Sequence, residues 1–269
     1  MPSSKLPDMG APAVVIIPGA SGLPKLYQGV IDAVKERGIE NVQALHLLSV
    51  GLESGARPGP PPTMYDDAAL IAEHVTKLAD AGHDVVLVAH SYGGVPTTQS
   101  VKGLSKAARQ EQGLPGGIVR IGYMTTLIPE QGQPATSLMA LFPPENQVPM
   151  EVDEAGWIYY TDVTRSAQLS FNDFPLEEGK VWASKLVKHA AASFATPLTY
   201  AGYKDVPVSY LLCTADLTIP VEIQQKEIDM IERETGKKVD VTSIKSDHVP
   251  PISHPQEVID WIVKLAETK

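Results

Sequence analysis

Length, composition and charge describe an ordinary globular chain and exclude several classes of protein. The chain has 269 residues, enough for one large domain or two small ones, and 43% of them are apolar, without a run approaching the roughly 18 apolar residues of a membrane helix. The net charge of −10 argues against nucleic acid as a partner, because phosphate neutralisation needs clustered lysine and arginine, so we expect a small-molecule substrate.

The single cysteine and the amino terminus bear on the compartment of the protein. Cys213 has no second cysteine to pair with, and it is expected to pack as a small apolar core residue. The start "MPSSKLPDMGAP" lacks the apolar segment of a secretory signal. We therefore expect a cytoplasmic protein with no membrane contact. The oligomeric state stays open, with a homodimer as one option.

In chain order, the first half alternates strands with helices. The strand "AVVIIP" leads through "GASGLPK" into a helix that closes near Gly38, and "NVQALHLL" is predicted as a second strand. A Gly/Pro-rich loop follows, and then a helix with Asp66 or Asp67 as its N-cap that runs to about Ala81. The apolar strand "VVLVA", a helix after Ser91 and the strand "IVRIGYM" complete this half.

The rhythm is interrupted between residues 128 and 197 and then resumes. This segment contains prolines, acidic residues, short helical pieces and all four phenylalanines of the chain. The strand "VPVSYLLC", a helix over 221–235, the strand "VDVTSI" and a last helix from Pro255 follow it. We predict an α/β fold with a mostly parallel sheet flanked by helices. Residues 1–127 and 198–269 form the core, and 128–197 form a helical lid insertion.

Ser91 is the first candidate for chemistry. It lies in "AHSYGG", directly after a buried strand and before a helix, which is the context of the nucleophile elbow G-x-S-x-G. Ala89 replaces the first glycine and Gly93 keeps the second. The alternative is an ordinary turn serine. We predict Ser91 as the nucleophile.

A serine nucleophile needs a base and an acid, and strand ends select both. In parallel sheets, ligands bind at the carboxyl ends of the strands. His248 follows the last strand, whereas His189 lies in the insertion on a predicted helix and His254 begins the final helix. Asp216 comes three residues after Cys213 and is predicted as the acid.

Two rival acids are less well placed than Asp216. Asp205 precedes its strand, at the opposite end of the sheet, and Glu222 is a weaker rival in the same loop region. The order serine, acid, histidine along the chain is that of the nucleophile-elbow enzymes.

Backbone amides and the insertion complete the predicted site. Tyr92 N–H and, from the loop "PGASG", the N–H of Ala20 or alternatively Ser21 should stabilise an oxyanion. No histidine pair has metal-ligand spacing, and "PGASG" lacks a phosphate-binding glycine pattern, so no metal or cofactor is expected. The aromatic insertion suggests an apolar pocket, although each ring could simply pack the insertion onto the core. The predicted substrate-binding residues are Ser21, Phe142, Trp157, Tyr159, Phe171, Phe174, Trp182 and Val249.

With these residues placed, the chain resembles the α/β-hydrolase superfamily over nearly its full length. The likeness is carried by "VVIIPGASG", "VVLVAHSYGGVP", "VSYLLCTADLTIP" and "SDHVPPISHPQEVIDWI". It is most similar to single-domain fungal and bacterial hydrolases related to plant methylesterases and hydroxynitrile lyases. "HLLSVG" and "LSFNDFPLEEGKVWASKL" resemble the fungal members. The resemblance implies Ser91, Asp216 and His248 as nucleophile, acid and base, and Asp247 matches an aspartate of the plant branch.

Two departures from the family bear on the reaction. Gly19 stands where the hydroxynitrile lyases have threonine, and Val249 stands where they have lysine directly after the histidine. The resemblance therefore does not imply cyanohydrin cleavage.

The sequence predicts a serine hydrolase that cleaves a small, largely apolar or aromatic ester or lactone through an acyl-enzyme. One alternative uses the same three residues to cleave a carbon–carbon bond of a diketone, or to cyclise or rearrange a natural-product intermediate. A second alternative, of a different class, is a non-catalytic ligand-binding receptor.

Overall fold

Nine β-strands form two sheets in the computed structural model, which describes residues 11–268. The strands are β1 (Ala13–Ile17), β2 (Val42–Ala44), β3 (Asp84–Ser91), β4 (Gly117–Thr126), β5 (Met150–Val152), β6 (Trp157–Tyr160), β7 (His189–Ala190), β8 (Val208–Cys213) and β9 (Asp240–Ile244). Six of them make the central sheet in the order β2-β1-β3-β4-β8-β9. All neighbouring strands in this sheet run parallel. The predicted α/β architecture is confirmed.

Eleven α-helices accompany the sheets in the described part of the chain. They are α1 (Gln28–Glu36), α2 (Met64–Asp80), α3 (Gly94–Ser100), α4 (Lys106–Glu111), α5 (Thr136–Met139), α6 (Val163–Ser170), α7 (Leu176–Ala183), α8 (Ala191–Ala195), α9 (Val221–Thr235), α10 (Pro250–Ser253) and α11 (Pro255–Glu267). None of the helices within residues 11–268 is both long enough and apolar enough to span a membrane.

The helices cover the central sheet on both faces, and strand side chains alternate between them. On β1, Val15 and Ile17 belong to the core cluster that includes residues of α2, α3 and α9, whereas Val14 and Ile16 belong to the one that includes residues of α1 and α11. Because a strand places successive side chains on opposite faces, continuous apolar runs bury both. The packing is close: a Cβ atom on Gly122 of β4 would lie 2.5 Å from Leu265 Cδ1.

Helix α2 begins earlier than the sequence indicates. We expected Asp66 or Asp67 to cap it, but Thr63 is the N-cap. The Asp66 carboxylate accepts a hydrogen bond from Thr63 N–H at 2.7 Å, which forms a capping box. Asp67 is buried instead and bonds Ser49 and Tyr92. An aspartate at the third helical position resembles a cap in sequence, which explains the difference.

The insertion over 128–197 lies between β4 and β8 and mixes helices with strands. Besides α5 to α8, it contains the antiparallel sheet β5-β6-β7. The expectation of a helical insertion was therefore incomplete. The strands are two to four residues long, too short for a period-two pattern to be distinguished from loop.

Candidate active site

Ser91 lies at the sharp turn between β3 and α3. Its φ is 53°, a conformation that costs free energy in a residue with a side chain and persists only where the surroundings enforce it. A Cβ atom on Gly93 would lie 2.5 Å from the carbonyl oxygen of Ile17. Only glycine fits there, which explains the second glycine of the elbow pattern. The turn presents the Ser91 hydroxyl at the carboxyl edge of the central sheet.

Three side chains at or just after the ends of separate strands form a continuous hydrogen-bonded chain at this edge. His248 Nε2 lies 2.9 Å from Ser91 Oγ, and His248 Nδ1 lies 2.7 Å from Asp216 Oδ2. Ser91 ends β3, Asp216 follows β8 and His248 follows β9. All three are buried. The structure thus brings together the serine, acid and histidine that the sequence singled out.

The Asp216 carboxylate has three hydrogen-bond donors around it besides His248. Its Oδ1 accepts hydrogen bonds from the backbone N–H groups of Thr218 at 2.7 Å and Ile219 at 2.8 Å. Its Oδ2 accepts from the Thr125 hydroxyl as well as facing His248. Because each partner offers a hydrogen, this environment suits an ionised carboxylate. His248 Nδ1 therefore carries a proton, and its Nε2 is free to accept one from Ser91.

His90, beside the serine, holds the backbone of His248. The His248 carbonyl oxygen can only accept, so His90 Nε2 donates to it at 2.7 Å. His90 Nδ1 then accepts from the Tyr27 hydroxyl at 2.7 Å, and that hydroxyl accepts from Gly19 N–H at 3.1 Å. Burial lowers the pKa of His90 to about 3, so the ring is neutral. This network links the loop after β1 to the loop that carries His248.

Ser21, in the loop after β1, is held by the end of the insertion. Its N–H donates to His189 Nδ1 at 3.3 Å, and its carbonyl oxygen accepts from Val187 N–H at 3.1 Å. We expected His189 on a helix, but it lies on β7, where it pairs with Ile158. The local sequence "HAAASF" is alanine-rich and favours helix, and tertiary pairing overrides that preference.

The two expected oxyanion donors have free N–H groups in this arrangement. Within residues 11–268, neither Ala20 N–H nor Tyr92 N–H has an acceptor. Ser21 N–H, the alternative donor, is occupied by His189. Of the two candidates left open by the sequence, the geometry therefore favours Ala20.

Backbone strain in the described chain is concentrated around this edge of the sheet. Over residues 11–268, three residues other than glycine have a positive φ: Ser21 at 61°, Ser91 at 53° and Thr125 at 40°. Ser91 belongs to the hydrogen-bonded chain, and Thr125 donates to Asp216 in that chain. Ser21 lies in the loop after β1. Such clustering is typical of functional sites.

The rival histidine and acids lie elsewhere. His254 Nε2 contacts the Asp173 carboxylate at 2.9 Å, and Asp205 accepts a hydrogen bond from Tyr200. Glu222 lies exposed in the first turn of α9. None of these three hydrogen-bonds to Ser91 or His248 in the described structure.

The turn between α6 and α7 ties the insertion to both loops behind the site. Asn172 Nδ2 donates to the carbonyl oxygen of Ala215 at 3.1 Å, next to Asp216. Asp173 Oδ2 accepts from Asp247 N–H at 2.7 Å, next to His248. Burial raises the pKa of the Asp247 carboxyl, which accepts from Val249 N–H and Ser253.

A cavity of about 470 Å³ opens between the sheet edge and the insertion, and Ser91 and His248 line it. Of the predicted substrate-binding residues, Ser21, Phe142, Phe171 and Val249 also line it. The size falls within the roughly 300–1,000 Å³ of small-molecule sites. The lining in the described chain contains no lysine, arginine, aspartate or glutamate.

Four predicted substrate-binding residues do not line the cavity. Trp157 and Tyr159 alternate with cavity residues on β6 and point to the other face, where Tyr159 bonds Glu151. Phe174 and Trp182 pack in a small cluster between α6, α7 and the loop after His248. Lys185 also covers the Trp182 ring at 3.5 Å. These rings pack the insertion together, which was the plainer interpretation of their enrichment.

Several residues that line the cavity were not predicted from the sequence, many of them aliphatic. The missed apolar ones include Leu127, Met139, Met150, Ile158, Leu186, Phe194 and Ile219, with Tyr160 and His189. The sequence "WIYY" carried one usable signal. Because side chains alternate along a strand, assigning one residue of β6 to the cavity also assigns its neighbours to one face or the other.

Metal-binding side chains do not cluster in the described part of the chain, and Cys213 is buried there. Across residues 11–268, no group of three or more histidine, cysteine, aspartate or glutamate side chains could hold a metal ion. Cys213 is buried at the end of β8, and burial raises the pKa of its thiol. It packs as the core residue that the sequence predicted.

A family model and two fungal proteins match nearly the whole chain. The model of the "Alpha/beta hydrolase family" matches residues 14–261. The chain is 32% identical over 258 residues to "Probable hydrolase R7" of Phoma sp., covering 96% of this chain and 99% of that one. It is 30% identical to "Alpha/beta hydrolase nvfD" of Aspergillus novofumigatus, covering 95% and 96%.

More distant similarities extend to plants and bacteria. The chain is 28% identical to "Methylesterase 9" of Arabidopsis thaliana, covering 68% of this chain and 71% of that one. A pyrethroid hydrolase from Sphingobium faniae has a similar solved structure, with a TM-score of 0.71 and 17% identity over 96% of this chain and 98% of that one. At that identity, the structural likeness concerns the fold alone.

Proposed function

The chain belongs to the alpha/beta hydrolase family, and from that premise we propose that it is a serine hydrolase acting on a small, uncharged ester or lactone. The observation that carries the proposal is the hydrogen-bonded chain from Ser91 Oγ through His248 to Asp216, at 2.9 and 2.7 Å. Nucleophile, base and orienting acid in this geometry are what acyl transfer requires.

In the proposed reaction, His248 Nε2 takes the proton of Ser91 as Oγ attacks the substrate carbonyl carbon. Asp216 holds the His248 ring and stabilises its charge. The N–H groups of Ala20 and Tyr92 bind the oxyanion of the tetrahedral intermediate. The carbon–oxygen bond of the ester then breaks, and the alcohol leaves with the proton from His248. Water, deprotonated by His248, attacks the acyl-enzyme and releases the acid and free Ser91.

The cavity supports an uncharged, mainly apolar substrate. Its lining has no charged side chain among the described residues, so a carboxylate or phosphate would lose its hydration without a counter-charge. The same lack of a cation, with Val249 after His248, speaks against cyanide as a leaving group. Insertion residues form much of the lining, which supports a capping role for residues 128–197. The name of the Arabidopsis relative, a methylesterase, is in keeping with a small ester.

The proposal is tested by labelling Ser91 with a fluorophosphonate and by esterase assays. We expect wild-type labelling and turnover of p-nitrophenyl esters, with Ser91→Ala unlabelled and slower by roughly 10³- to 10⁶-fold. Ser184→Ala is the matched control, because Ser184 is an exposed serine of the insertion.

Absent labelling in folded wild type would contradict the proposal and favour a ligand-binding protein. Labelling without ester turnover would point instead to carbon–carbon cleavage or cyclisation, which a panel of β-diketones and aromatic lactones would detect.

A further inference from the structure

We propose that His189 is a positioning residue of the oxyanion hole, through the loop after β1. The inference rests on the proposed function. It means that the insertion helps to position the oxyanion hole in addition to covering the cavity. His189 is fully buried on β7 and lines the same cavity as Ser91.

The hydrogen bonds of His189 fix its tautomer. The Ser193 hydroxyl donates to the carbonyl oxygen of Ala190 at 2.8 Å, so it accepts from His189 Nε2 at 2.9 Å. Nε2 therefore carries the proton, and Nδ1 is left as an acceptor. That acceptor takes the N–H of Ser21 at 3.3 Å. Burial lowers the pKa of His189 to about 3, which keeps the ring neutral.

The bond to Ser21 decides which amide of the loop faces the reaction. Ser21 has a φ of 61°, a conformation that must be enforced from outside in a serine. His189 Nδ1 and Val187 N–H bond to the two peptide groups that flank the Ser21 Cα, at Ser21 N and Ser21 O. With Ser21 N–H occupied, the preceding amide, Ala20 N–H, is the one free to bind an oxyanion.

His189 also contacts the residue that offers the second donor. The His189 and Tyr92 rings pack edge to face with 4.7 Å between their centroids, and the Phe194 ring lies 5.1 Å from His189 and 5.0 Å from Tyr92. The Tyr92 hydroxyl is itself anchored on Asp67. One side chain of the insertion therefore contacts both Ser21, next to the first donor, and Tyr92, which supplies the second.

Two substitutions test the two ring nitrogens of His189 one at a time. In His189→Asn the amide oxygen can occupy the place of Nδ1 and accept from Ser21 N–H, whereas in His189→Gln the amide reaches the place of Nε2 and Ser193. We expect His189→Gln to lower kcat by about 10- to 100-fold with KM changed less than threefold, since loss of an oxyanion donor costs about 10²–10³. His189→Asn should retain kcat within about threefold.

A transition-state analogue distinguishes positioning from a merely structural role. A trifluoromethyl ketone that matches the ester forms an oxyanion on Ser91, whereas the corresponding secondary alcohol does not. His189→Gln should weaken the ketone by the same factor as kcat and leave the affinity for the alcohol unchanged. Equal losses for ketone and alcohol, equal losses in both variants, or no loss in His189→Gln would each overturn the inference.

The tautomer offers a test that does not depend on how any variant folds. Proton–nitrogen correlation spectra of wild-type imidazoles should show the His189 proton on Nε2, and a proton on Nδ1 would overturn the inference. The outcomes also separate the two proposals. Turnover by wild type with an unaffected His189→Gln removes only the role of His189, whereas wild type without labelling or turnover removes the proposed function as well.

Discussion

At the scale of single residues, the Asp216 carboxylate decides the tautomer of His248. We predict that Asp216→Asn lowers kcat for p-nitrophenyl esters by roughly 10⁴-fold. The amide oxygen would stay with the N–H groups of Thr218 and Ile219, which turns the amide nitrogen toward His248. His248 Nδ1 would then accept, and Nε2 would carry a proton that blocks its function as a base.

The matched control is Asp205→Asn, which changes the exposed rival acid bonded to Tyr200. Its kcat should stay within a factor of two of wild type. A loss below tenfold in Asp216→Asn, with folding intact, would show that Asp216 does not orient the base.

The residues found from sequence differ in kind from those that were missed. Ser91, Asp216 and His248 each follow a strand of the parallel sheet, and local patterns reveal strand ends. Thr125 and His189 act across separations of 91 and 168 residues, through contacts that no local pattern encodes. The free Ala20 N–H depends on one such contact, which is why the sequence favoured Ala20 but left Ser21 open as the alternative.

At the scale of elements, strand β6 divides its side chains between the cavity and the opposite face of its sheet. Ile158 lines the cavity, whereas Tyr159, the next residue, pairs with Glu151 on the other face. We predict that Ile158→Ala shifts the preference of the enzyme toward longer acyl chains by several-fold in kcat/KM. The reason is that removing about three methyl or methylene groups opens volume that a longer chain can fill, at about 0.8 kcal/mol per buried methylene.

A series of p-nitrophenyl esters from acetate to octanoate measures this shift. Tyr159→Phe on the same strand is the control and should leave the profile unchanged, because it removes only a hydroxyl on the exposed bond to Glu151. An unchanged profile in Ile158→Ala, or an equal shift in Tyr159→Phe, would contradict the assignment of the faces.

The register of such short strands explains the errors made from sequence. Shifting a strand by one residue exchanges its two faces, and the two-residue partner β7 gives no pattern from which to fix it. The long core strands β3 and β4 are buried on both faces. Predicting that their side chains are buried therefore did not require knowing which face each one takes.

At the scale of the whole molecule, a buried acid joins the core to the first residue of the insertion. Glu227 of α9 accepts hydrogen bonds from Ile128 N–H at 2.8 Å and from the Tyr210 hydroxyl at 2.9 Å. It is almost completely buried, and no cation lies among its hydrogen-bond or ion-pair partners within residues 11–268. Burial raises its pKa from 4.5 to about 8.

This raised pKa predicts a loss of stability with rising pH. Between about pH 4.5 and pH 8, the unfolded chain releases the Glu227 proton while the folded protein keeps it. Through this group the free energy of unfolding therefore falls as the pH rises across that window, by at most about 1.4 kcal/mol per pH unit. Below the window both states are protonated, and above it both are ionised, so the contribution is constant there. Glu227→Gln, which mimics the neutral acid, should lack this dependence.

Urea denaturation of wild type and Glu227→Gln at pH 5, 6, 7 and 8 tests this prediction. The stability of the variant relative to wild type should increase steadily with pH, because only wild type must then either retain a proton or bury a charge. Glu222→Gln, at an exposed position on the same helix, controls for net charge and should parallel wild type. Parallel curves for all three proteins would mean that Glu227 is ionised in the folded state, with water or a rearranged donor compensating its charge between α9, β8 and the insertion.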